Sequence, residues 1–201
     1  MREQLSPRRI RWPRPRVANG DPASGPPGGG RVPDPADLAP AVETPAIRAI
    51  GAAGVPHRVV RSEAARTAEE AAQLQGIPLA ALIRTIVVRR GEDDYVFVLV
   101  PAGRRFDWPK LRAHLGVSRM SLPDAEEARA VTGYERYTIT PFGAARAWPV
   151  IADASLAGRD VVSIGGGARG VNLHLSAGDL FAATGADVVD VSQPEPAVRT
   201  E

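Results

Sequence analysis

Residues 84–100 read Arg84-Thr-Ile-Val-Val-Arg-Arg-Gly-Glu-Asp-Asp-Tyr-Val-Phe-Val-Leu-Val100. Two runs rich in Ile and Val, residues 84–90 and 95–100, flank the polar stretch Gly91-Glu-Asp-Asp94. β-branched and aromatic residues suit a pleated, buried surface, so this pattern predicts a hairpin of central strands. The rest of the fold is read outward from that hairpin.

Toward the N-terminus, Thr67-Ala-Glu-Glu70 has the form of a capping box. The Thr67 hydroxyl can accept from the Glu70 N–H while the Glu70 carboxylate reaches back. The helix it opens should stop at Gly76, with Pro78 just beyond. Farther out, residues 57–61 read as a strand and residues 46–53 as a short helix ending near Gly54. Toward the C-terminus, Asp107 should cap a helix through Leu115 closed by Gly116, and residues 123–131 a helix closed by Gly133. Residues 148–152, 160–164, 171–175 and 186–191 read as strands, and Ser176 with Asp179 caps a last helix. Strand pairs and single helices are mixed rather than strictly alternating. The expectation is an α/β chain of mixed, α+β type: a curled, mixed, largely antiparallel sheet with surrounding helices, and not a doubly wound fold.

A chain of 201 residues suits one domain with a tail. It has no cysteine, which excludes thiolate nucleophiles, disulfides and cysteine-ligated zinc, and suits a reducing cytoplasm. No apolar run approaches the roughly 18 residues of a membrane helix, so no membrane role and a cytoplasmic location are expected. His57, His114 and His174 are far apart and offer no metal-ligand spacing, so no metal is expected. Residues 1–43 carry seven arginines against five acids, while the remainder balances at 18 basic and 18 acidic residues. The folded part is therefore not a general polyanion binder, and any RNA contact there rests on local arginines. Residues 1–43, with Arg, Pro and Gly prominent, are expected to be disordered, either a solvated extension or an accessory RNA-binding arm. The folded domain is expected over 44–194, with a second disordered tail over 195–201.

Three stretches are candidates for chemistry. Gly165-Gly-Gly-Ala-Arg-Gly170 matches G-x-G-x-x-G, but a strand follows it where a dinucleotide site needs a helix. It is either a hairpin turn with positive-φ glycines or a loop whose N–H groups line a small pocket. Thr132 to Gly143 is a polar, glycine-bounded loop fixed near its end by Pro141, either plain surface or a substrate contact. Arg84-Thr85 opens the first central strand, where an arginine is either solvated or turned into a cleft to hold a phosphate or an oxyanion. Asn172 and His174 should share one face of their strand, which puts Asn172 beside the glycine loop, facing a cleft or solvent.

Taken in order, several segments resemble the YbaK/ProX family, the prolyl-tRNA-synthetase-associated editing domains. They are Arg66-Thr-Ala-Glu-Glu-Ala-Ala72, Ile83-Arg-Thr-Ile-Val-Val88, Tyr95-Val-Phe-Val-Leu-Val-Pro101, Thr132-Gly133 to Pro141-Phe-Gly143, Asp153, Gly166-Gly-Ala-Arg-Gly170 and the stretch from Ser176 to Leu180. The likeness covers residues 44–192. It implies a mixed sheet with surrounding helices and hydrolysis of the ester of wrongly charged aminoacyl-tRNA, often in trans. It implies no metal or organic cofactor; the partners are the acceptor end of aminoacyl-tRNA and, for some members, a synthetase.

Carried onto this sequence, the resemblance makes Arg84 the catalytic position. It makes Thr85, Gly133, Tyr137, Thr138, Pro141, Gly166, Gly167, Gly170 and Asn172 the substrate contacts. The sequence departs from the family pattern in four places. Arg84 stands where the family has a lysine, and the only lysine, Lys110, lies elsewhere. Tyr137 and Thr138 replace paired glycines, Asn172 an aspartate, and Ser62 a tyrosine found in some members. Arginine keeps the charge and adds a bidentate fork but cannot act as a base. A tyrosine at 137 is expected to narrow or re-floor the aminoacyl pocket. The expected function is therefore a trans-editing aminoacyl-tRNA deacylase with an altered site. The alternatives are a binding module of the same fold without turnover and a protein-interaction module with no tRNA role.

Overall fold

The computed structural model describes residues 43–63 and 65–195. The tail expected over residues 1–43 lies outside these except for Glu43, as does that over 195–201 except for Glu195.

The predicted hairpin is present as β2 (Ile83–Gly91) and β3 (Asp94–Pro101), paired antiparallel from Ile83 opposite Pro101 to Arg89 opposite Tyr95. β3 is the central strand, buried from Tyr95 to Pro101. Its period-2 alternation divides the core. Tyr95, Phe97 and Leu99 enter one cluster with Ile83, Val150, Ala152, Ile164 and Leu173. Val96, Val98 and Val100 enter a second with Val88, Leu111, Ile151 and Val191. A strand apolar on both faces must be covered on both, and this one is.

Beyond β3 lie β5 (Val150–Asp153) and β8 (Asp187–Val189), both parallel additions, so the order is β2-β3-β5-β8. A second, wholly antiparallel sheet has the order β1-β7-β6, from Arg58–Arg61, Val171–Leu175 and Val162–Gly165. β4 (Arg104–Phe106) and β9 (Ser192–Pro194) form a third, two-stranded sheet. Thus the one curled sheet of the sequence reading is three hydrogen-bonded sheets, with a parallel bridge between Leu82 and Ser163 joining the first two.

The helices begin where their caps dictate. Thr44 accepts from the Ile47 N–H at α1 (Pro45–Ala52), Thr67 from Glu70 at α2 (Ala68–Leu74), and Asp107 from Lys110 at α3 (Trp108–Leu115). Asp124 does so at α4 (Ala125–Thr132) and Ser176 at α5 (Ala177–Thr184). Each supplies an oxygen to an otherwise orphaned first-turn N–H. In the α2 box, the Glu70 carboxylate reaches one residue past the cap and accepts from the Arg66 N–H at 2.7 Å. Gly116, Gly133 and Gly185 close α3, α4 and α5 in the left-handed conformation.

Candidate active site

β2 is an edge strand whose outer side, among the described residues, is held only near its ends. Arg89 exchanges main-chain bonds with Ser121, its N–H to Ser121 O at 2.9 Å and the return bond at 3.1 Å, and Leu82 bridges Ser163. The pairing with β3 is regular from Ile83 to Arg89, so the main-chain groups of Thr85 and Val87, in phase with Arg89, point away from β3. Along this open edge lies a cavity of about 990 Å³.

Five residues picked from the sequence line that cavity: Arg84, Thr85, Tyr137, Gly170 and Asn172. They come from β2, the 133–143 loop, the β6–β7 turn and β7. Gly133, Thr138, Pro141, Gly166 and Gly167 are not in the wall. Gly133 ends α4, and Thr138 is buried with its hydroxyl donating to Glu135 O at 2.8 Å. Pro141 precedes buried Phe142, whose carbonyl accepts from Tyr134 Oη at 2.7 Å. Burial raises the Tyr134 phenol to about 12, with Arg48 opposing, so it stays a donor. Gly166 was expected to offer an open donor, but its N–H is bonded to Val171 O at 2.9 Å. The glycine stretch forms the β6–β7 hairpin turn, and part of it also lines the cavity. Its role in the wall falls to Gly165, Arg169 and Gly170. Gly170 has φ 70, and a Cβ there would meet Ser62 O at 2.5 Å, so no other residue fits that bend.

Arg84 sits at the cavity edge with its side chain 40% exposed. Its Nη2 donates to Arg104 O and to Glu195 Oε1, the latter at 2.9 Å. Its Nε, and separately the Thr85 hydroxyl on the other face of β2, are sealed from solvent without a partner among the described residues. Sequence reading missed Glu195, which was assigned to a tail.

Tyr137 does not plug the cavity. It holds φ 71, is 80% exposed, and lies under the Arg136 guanidinium, 5.2 Å from its ring centroid. Arg66, Arg84, Arg136 and Arg169 face the cavity against only Glu63 and Asp124, which makes the rim cationic although the domain is near neutral.

Gln75, at the C-cap of α2, also lines the cavity and was not singled out from sequence. Its Oε1 accepts from Ser163 Oγ at 2.6 Å and lies 2.9 Å from His174 Nε2. His174 Nδ1 is 3.3 Å from Arg58 Nη2. Burial, and then the nearby Arg58, lower His174 to about 4.

Residues 62–183 match the model of a family described as the aminoacyl-tRNA editing domain. The chain belongs to that family. The proline–tRNA ligase of Thermosipho africanus is 32% identical over 79 residues, 39% of this chain and 14% of the ligase. The chain therefore covers about one seventh of that relative's length. An Enterococcus faecalis protein, EbsC, provisionally named a Cys-tRNA(Pro)/Cys-tRNA(Cys) deacylase, is 22% identical over 156 residues, 76% of this chain and 95% of that one. A crystal structure provisionally described as a trans-editing enzyme for prolyl tRNA synthetase superposes with a TM-score of 0.68 at 29% identity, covering 73% of this chain and 93% of that one. The editing-domain fold is thus shown by family, sequence and structure. Within it, Tyr137 has a left-handed backbone of the kind a glycine adopts freely, and its ring is carried outward.

Proposed function

We propose that this editing-domain protein is an aminoacyl-tRNA deacylase acting in trans, with Arg84 in the electrostatic role that the resemblance gives to a lysine. The observation that carries the reading is convergence. Arg84, Thr85, Tyr137, Gly170 and Asn172, spread over nearly ninety residues, line one cavity with a cationic rim. The rim suits the phosphates of an acceptor end, which positions the ester without reading sequence. The Arg84 guanidinium, part exposed at the cavity edge, suits the ester carbonyl oxygen.

The chemistry asks little of the protein. A water oxygen bonds to the ester carbonyl carbon, charge gathers on the carbonyl oxygen, and the bond to the ribose oxygen breaks. That oxygen takes the water's proton, directly or through the neighbouring ribose hydroxyl. A fixed guanidinium at the developing oxyanion lowers the barrier without acting as a base. The protein would work where tRNA is charged, in the cytoplasm, beside a synthetase.

A second reading, capture of aminoacyl-tRNA without turnover, is favoured by the bonds from Arg84 to Arg104 O and Glu195. A panel of mischarged tRNAs incubated with purified protein separates the two. Hydrolysis of one or more is expected; binding without hydrolysis selects the second reading.

A further inference from the structure

The Gln75 cluster is a directional hydrogen-bond chain. A guanidinium has donors and no acceptor, so His174 Nδ1 must accept from Arg58. The imidazole proton then sits on Nε2 and is donated to Gln75 Oε1. A flipped Gln75 would bring its NH₂ against that N–H, so the carboxamide is held in one orientation. Ser163 Oγ donates to the same Oε1 at 2.6 Å. His174 and Ser163 are fully buried and Gln75 is 8% exposed. The Gln75 Nε2 has no acceptor among the described residues, yet it is not among the buried atoms left without a partner. It therefore opens on the cavity that Gln75 lines. Its neighbours in the lining include apolar Ala71, one turn back on α2, and Leu82 and Ile83 next to Ser163.

We propose that Gln75 is a specificity-determining residue, a donor aimed from the cavity wall at an oxygen acceptor on the aminoacyl side chain. His174 is its positioning residue. The inference rests on the deacylase reading and deepens it by naming the substrate class: small aminoacyl groups with a hydroxyl or carboxamide oxygen, preferred over aliphatic isosteres. A fixed donor discriminates against a ligand that leaves it unpaired.

The test compares threonyl-tRNA with valyl-tRNA, and seryl-tRNA with alanyl-tRNA, by kcat/KM with the full chain. The hydroxyl-bearing member of each pair should be favoured by roughly tenfold to a hundredfold. Gln75→Met should bring the ratios to within about threefold. Because that variant orphans His174 and Ser163, a second measurement uses wild-type protein: the side-chain amide resonances of Gln75, assigned by their loss in Gln75→Glu. They should move with an amide-linked threonyl-adenosine and not with its valyl counterpart. Turnover of both members at equal rates, or Gln75 resonances that do not move with a bound threonyl analogue, overturns the assignment and leaves the deacylase reading intact. No turnover and no binding of either analogue overturns both.

Discussion

Tyr137 is one of two non-glycine residues with positive φ among the described residues. At φ 71 a non-glycine residue carries a cost of about 1–2 kcal/mol, offset here by the ring lying under Arg136. Glycine would relieve that strain but lose more backbone entropy on folding. Tyr137→Gly should therefore leave stability within about 1 kcal/mol, measured by urea unfolding, while widening the cavity mouth. A loss of several kcal/mol would mean that the ring bears weight its exposure does not suggest. The wall residues Arg84, Thr85, Tyr137, Gly170 and Asn172 were legible because each lies in a segment whose order along the chain is specific. Gln75 and Glu195 were not, because their roles depend on partners roughly 90–110 residues distant. One signal was available for Gln75: it falls at i+7 and i+3 from Ala68 and Ala72, on the helix stripe that turns inward.

Elements with their own punctuation were found from sequence. All five helices start beside a cap residue, and the β2–β3 hairpin extends one residue past the predicted run at each end of β2. β4 and β9 went unread since each has three residues and their only strand pairing is with each other, across nearly ninety positions. Such strands carry too few residues for alternation to show. The strand predicted from Trp148 begins instead at Val150; Trp148 packs edge-on against Tyr95 at 5.0 Å and donates from Nε1 to Val131 O at 2.8 Å. β3 is the element on which both cores depend. Phe97→Ala, at a fully buried site, should cost about 3–5 kcal/mol, read as a lowered urea midpoint with an unchanged slope. A much smaller cost would contradict its central place.

At the scale of the whole molecule, two buried groups couple stability to pH. His174 titrates near 4 in the fold and near 6.5 when unfolded, so between those values the unfolded state binds the extra proton. Stability is complete above about pH 6.5 and falls as pH drops toward 4. Asp153 adds to the trend. Burial pushes its carboxyl up, but hydrogen bonds from Ser155 and Ser192 and from the Ser155 and Val191 N–H groups outweigh that and leave it lowered. Its contribution is likewise lost as pH falls through its folded value. Urea unfolding at pH 7.5 and 4.5 should differ by on the order of 3 kcal/mol, more at the higher pH. A flat profile would place His174 in contact with solvent.

The deacylase proposed above rests on a permanent positive charge at position 84. Single-turnover deacylation of the tRNA that wild-type protein hydrolyses best, compared across Arg84→Ala and Arg84→Lys, measures this most directly. Alanine should lose about 10²–10³ in rate, and lysine should retain a substantial part of it. An alanine variant as fast as wild type would contradict that role for the charge.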